Sequence, residues 1–105
     1  QASRTQYFDL LHTRLEVSPD WKNKQLKGKA TLLLKPWFYT QSELVLDAKG
    51  MDIHEVRIGG EKTTLYTYDS LQLTLPLGKK ISRADTIEVS IHYTAKPEQL
   101  PKSGS

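Results

Sequence analysis

A chain of 105 residues has the length of one domain, which excludes multi-domain catalytic machinery but leaves room for one core. Apolar residues make up 37% and charged residues 26%, a globular composition, with no apolar run near the ~18 residues of a membrane span. The net charge of +3 is too small to point to nucleic acid, and the absence of cysteine removes disulfides, thiol catalysis and cysteine-held metals.

In chain order the sequence is a series of strand patterns. From Tyr7 to Val17, Leu11, Thr13, Leu15 and Val17 alternate with His12, Arg14 and Glu16, and Ser18-Pro19-Asp20 is expected to break the strand. In the next run Leu26, Gly28, Ala30, Leu32 and Leu34 share one face, while Lys27, Lys29, Thr31 and Lys35 point to water. Two such runs around a polar turn predict an antiparallel hairpin, and Gly28 inside the second marks a bulge or the close approach of another backbone. Leu44 to Ala48 and Met51 to Ile58 are short strands closed by Lys49-Gly50 and Gly59-Gly60. Leu65–Tyr68 and Leu71–Leu75 flank a two-residue connection, Asp69-Ser70. In the last strand Ile87, Val89, Ile91 and Tyr93 alternate with Glu88, Ser90 and His92. About seven short strands with no helical period predict an all-β fold, an antiparallel β-sandwich or a curved open sheet. Residues 1–94 form this domain, and the Pro- and Ser-containing stretch 95–105 has linker composition.

Candidate chemistry is sparse. His12 and His92 lie on polar faces and would be neighbours if the first and last strands paired, but no third ligand completes a metal site. His54-Glu55-Val56-Arg57-Ile58 departs from H-E-x-x-H at its fifth position and lies in a strand, where two imidazoles would not align. Glu43, Asp47, Asp52 and Glu55 supply carboxylates without singling out an acid–base pair. Lys22, Lys24, Lys27 and Lys29 beside Trp21 are better explained as a solvated hairpin face than as a phosphate stripe. Trp37, Phe38 and Tyr39 form an aromatic cluster that either plugs one end of the core or anchors an interface. The expectation is therefore a chain without catalysis or cofactor of its own.

Several segments together resemble a known family. They are Asp9–Val17, Leu26–Leu32, the L-x-L-D-A-x-x-x-x-I stretch Leu44–Ile53 continuing to Val56, Leu71–Leu75 and Ile87–Tyr93. Over about Tyr7 to Tyr93 the chain is similar to the N-terminal β domain of the aminopeptidase N and leukotriene hydrolase family of zinc metallopeptidases. The resemblance implies a non-catalytic domain that packs on a downstream catalytic domain of the same polypeptide and shapes access of peptide substrates. Zinc is then expected in that missing domain. The family's H-E-x-x-H helix and exopeptidase motif do not occur in this chain, so no catalytic or metal residue carries over. Stretch 95–105 would lead toward the catalytic domain. The alternative is a stand-alone sandwich that binds a glycan or protein partner through Trp37 and Tyr39. A start at Gln1 rather than Met suggests a removed leader or a start inside a longer gene, and with it a periplasmic or secreted location.

Overall fold

The computed structural model describes residues 8–36 and 41–95, and every regular element among them is a strand. In chain order these are β1 (Phe8–Asp20), β2 (Gln25–Pro36), β3 (Gln41–Asp47), β4 (Met51–Ile58), β5 (Glu61–Thr63), β6 (Thr67–Tyr68), β7 (Gln72–Ile81) and β8 (Ile87–Ala95). They form two antiparallel sheets: five strands in the order β1-β2-β8-β4-β5 and three in the order β3-β7-β6. The architecture is an open β-sandwich with unequal sheets.

Alternation along the strands creates the core. Registers Ala30↔Ile91, Leu32↔Val89 and Leu34↔Ile87 line up the apolar face of β2 and β8, and β4 adds Val56 opposite Ile91. The small sheet answers with Leu44 opposite Leu75 and Leu46 opposite Leu73. All four of these leucines are fully buried, as are Leu34, Val56 and Val89. Burying each such side chain stabilises the fold by roughly 1.5–3 kcal/mol against an extended chain, an upper bound.

The first hairpin forms as expected but turns later. Pro19 lies inside β1, and Trp21–Lys24 make the turn, with Lys24 at φ 55°. Asp20 accepts hydrogen bonds from Asn23 N at 3.3 Å and Nδ2 at 2.9 Å, closing that turn. A proline is tolerated because β1 is an edge strand, where an N–H facing away from the sheet has no partner to lose. The register slips between Leu10 and His12, so Leu11 is the extra residue of a bulge. Leu10, Thr13, Leu15 and Val17 are thereby set on the core side, and the even alternation expected from Leu11 onward begins only at Thr13.

Other boundaries also shift. Gly59 and Gly60, at φ 60° and 86°, make a two-residue turn whose positive angles favour glycine, and β5 follows at once. The strand expected at Leu65–Tyr68 shrinks to Thr67–Tyr68. β7 runs past Pro76 to Ile81, with a register shift that sets Leu77–Lys80 against Ser42 while Leu77 stays buried in the core. Between β6 and β7 no glycine is needed: Asp69 Oδ1 accepts from Leu71 N at 2.9 Å and Gln72 N at 2.7 Å, and Ser70 takes φ 73°.

Gly28 proves to be a site of close approach, by a side chain and not by backbone. Its register partner is Tyr93, whose ring lies across the α-carbon, so that a Cβ built there would overlap Cζ, Oη and Cε1. Burial pushes the Tyr93 phenol above its ordinary pKa of 10.0.

The crossover from the small sheet to the large one is held by Tyr68. Its hydroxyl donates to Ala48 O at 2.5 Å and accepts from Met51 N at 2.9 Å. Ala48 N donates to Leu71 O and Gly50 N to Ser70 O, both at 2.9 Å, so the β3–β4 turn is bonded to the β6–β7 turn. Tyr68→Phe keeps the ring and leaves a part-buried carbonyl and amide unpaired. The expected loss is about 1–3 kcal/mol in urea denaturation at unchanged m-value. Gly28→Ala and Tyr93→Ala are in contact and should couple by at least about 0.5 kcal/mol in a double-mutant cycle.

Candidate interaction surface

The structure separates most of the side chains that the sequence offers for chemistry. Trp37, Phe38 and Tyr39 lie outside the described residues. His12 and His92 are not neighbours: β2 stands between β1 and β8, and His12 faces Leu33, which in turn faces Glu88. His54 is the extra residue of a bulge in β4, with Nε2 2.6 Å from Thr94 Oγ1. Glu43 and Asp47 belong to the small sheet, Asp52 and Glu55 to the large one. Among the described residues no three His, Asp or Glu side chains converge on a metal position, so the residues present do not fit zinc. None of the described polar or charged side chains is fully buried.

The outer face of the large sheet is instead a ladder of exposed charges. Register sets Glu16 beside Lys29, Lys29 beside His92, and His92 beside Glu55. Glu55 accepts from Arg57 Nε at 2.7 Å and lies 3.9 Å from Lys62 Nζ, while Arg57 Nη1 donates to Gly60 O at 3.1 Å. The Arg57 hydrogen bond is the main cause that holds Glu55 below its ordinary 4.5. The charges of Arg57, Lys62 and His92 add to it, and desolvation opposes it. Of the four-lysine segment, Lys27 and Lys29 lie in β2, with Lys27 Nζ 3.8 Å from Asp20, and Lys22 and Lys24 are exposed in the β1–β2 turn.

What the fold leaves uncovered is apolar. β1 is covered unevenly: Phe8 at its start is buried in the core, whereas Leu15 and Val17 further along, although on the core side, remain 60% and 51% exposed. Trp21, 85% exposed, and Leu71, 56% exposed, stand at the same end of the sandwich. That end also holds the β3–β4 turn and the row Leu26–Ala95–Met51, and the chain continues from Ala95. At the other end an open cleft of about 620 Å³ is lined by Ile58, Leu77, Lys79, Asp85 and Glu88, a mixed surface with no convergent polar groups. Sequence patterning placed Leu15 and Val17 together on one strand face, and no local signal shows that this face is left exposed there.

No family model matches the sequence, and no curated protein matches it either. Solved structures do match the fold. An M1 zinc metallopeptidase from Deinococcus radiodurans, solved with a Tyr-Ser-Ala substrate, superposes with a TM-score of 0.78 at 20% identity over 94% of this chain. Leukotriene A4 hydrolase from Saccharomyces cerevisiae gives a TM-score of 0.73 at 22% identity over 88% of this chain. Legionella pneumophila aminopeptidase A in complex with aspartic acid gives 0.69 at 14% identity over 86%. The chain spans 22%, 15% and 11% of the length of these three proteins. The resemblance carried by Leu44–Ile53 and its flanking strands is therefore matched in three dimensions, at the level of the fold.

Because the fold lowers the pKa of Glu55, its contribution to stability is present above pH 4.5 and is lost as acid carries the pH down through the lowered value. Glu55→Gln should therefore unfold at lower urea than the parent at pH 6, and the gap should narrow progressively as the pH falls below 4.5.

Proposed function

We propose that this chain is a non-catalytic domain of a zinc aminopeptidase-like metallopeptidase, N-terminal in its parent. Its role is to pack on the catalytic domain and shape access of peptide substrates. The observation that carries this reading is the asymmetry of coverage: nearly all of this chain matches only about a fifth of an M1 metallopeptidase. One feature of the chain agrees with it. Trp21 and Leu71 expose apolar surface at the end from which the linker-like stretch 95–105 follows, where a neighbouring domain would cover it.

Within this reading a zinc ion held by the parent's catalytic domain would supply water activation for peptide hydrolysis. The β-sandwich contributes walls, exclusion of folded chains and a fixed entrance. Its rigidity follows from the two bonded turns around Tyr68 and from the leucine core.

The reading frame beyond the codon for Ser105 supplies the first test. An in-frame H-E-x-x-H with a later Glu is expected, and an immediate stop codon would overturn the proposal in favour of a stand-alone binding module. The longer protein, loaded with zinc, should hydrolyse aminoacyl p-nitroanilides that the 105-residue chain leaves intact. Replacing Trp21 and Leu71 by Ser should change the stability of the isolated chain by less than about 0.5 kcal/mol per site, as for exposed positions. The same pair should cost the longer protein roughly 1–3 kcal/mol by differential unfolding of the two domains.

A further inference from the structure

The two edges of the large sheet are treated differently. The outer edge formed by β5 is three residues long and bears Glu61 and Lys62, a short charged strand that resists pairing with another chain. β1 is thirteen residues long and, among the described residues, pairs only with β2. Its protective devices sit at its ends, the bulge at Leu11 and the donorless Pro19. Between them His12–Ser18 is a window of seven residues with neither proline nor bulge. Leu15 and Val17 lie exposed on its core side.

We propose that β1 is a self-pairing edge. Two copies of this chain join β1 to β1 antiparallel about a two-fold axis at Leu15 and extend the five-stranded sheet into one of ten. The charges select this register. With the axis at Leu15, Arg14 of each copy stands opposite Glu16 of the other, so two oppositely charged cross-strand pairs form on the outer face. On the core side Leu15 meets Leu15 and Val17 meets Thr13, and the ends of the window pair His12 with Ser18. Moving the axis to Arg14 sets two arginines directly opposite, and moving it to Glu16 sets two glutamates opposite. A half-step would put apolar and charged side chains on the wrong faces. Within one chain Arg14 Nε is 4.0 Å from Glu16 Oε2 with both side chains largely in water, a contact weak enough to be exchanged for pairing across the axis. The covered apolar strip and the satisfied edge amides supply affinity, and the charges supply register.

The test is sedimentation equilibrium of the 105-residue chain from micromolar to millimolar concentration. A monomer–dimer equilibrium is expected. Arg14→Glu alone, or Glu16→Arg alone, places like charges at both symmetric pairs and should weaken the dimer by at least roughly tenfold. The double variant with both changes restores opposite charges and should recover the parent dissociation constant to within about threefold. Leu15→Lys places a charge on the core side of the edge and should give a monomer. Should it also fail to fold, the exposed charge variants carry the test, since a thermal melt reports their integrity directly. A chain that stays monomeric throughout, a dimer indifferent to Arg14→Glu, or a double variant that is not restored would each overturn the proposal. A strictly monomeric chain would leave the Leu15 strip to be covered by another part of the parent protein.

Discussion

Unequal sheet width is the constraint on which the rest of this structure depends. The five-stranded sheet offers an apolar face that the three-stranded sheet leaves uncovered around Leu15 and Val17 of β1, while Phe8 at the start of the same strand is buried. Where the two sheets overlap, leucines from both meet and water is excluded. Where the small sheet stops, residues patterned for a core remain wet. The same alternation therefore produces both the most buried residues of the chain, such as Leu32 and Leu46, and the exposed Leu15 and Val17. Stability and association potential are two products of one pattern placed under covers of different extent.

A sandwich also needs its sheets tied where the chain passes between them. Here the tie is polar and sits at the β3–β4 turn, where Tyr68 bonds a carbonyl and an amide on either side of the turn and two backbone bonds join the adjacent turn. This places a specific hydrogen-bonded clamp beside an otherwise non-directional leucine core. The segment it clamps, Leu44 to Ile53, is the one in which the resemblance to zinc metallopeptidases is most specific. The clamp gives a physical reason why that stretch has little freedom to vary in geometry.

The legibility of the chain followed the range of the forces involved. β2 and β8 were readable from sequence because they are central strands with one wet and one dry face, and their period-two pattern is uninterrupted. β5 was missed because three polar residues carry no pattern, although the Gly59-Gly60 turn before it was plain. The continuation of β7 was missed because Pro76 signals a strand end in sequence, whereas the strand continues through a register shift. Asp69 supplied by side chain what glycine would have supplied by backbone, so the β6–β7 hairpin was legible without its turn type. The candidate surface was the least readable part. Exposure of Leu15 depends on how far another sheet reaches, and the role of Tyr68 depends on partners 17 and 20 residues away.

The position of β2 between β1 and β8 also bears on how the protein is made. Its partner on one side is the next strand in the hairpin, while its partner on the other, Val89 opposite Leu32, is 57 residues further along the chain. At ribosomal speeds of about 5–20 residues per second, roughly 3–11 s separate the synthesis of those two residues. For that interval β2 has been made without the β8 partner that its other edge and leucine-rich face require. Closure of the central pair is thus a late, long-range event that sets a slow folding rate typical of non-local β topology. β2, interior to the finished sheet, is thus an exposed edge until β8 has been made.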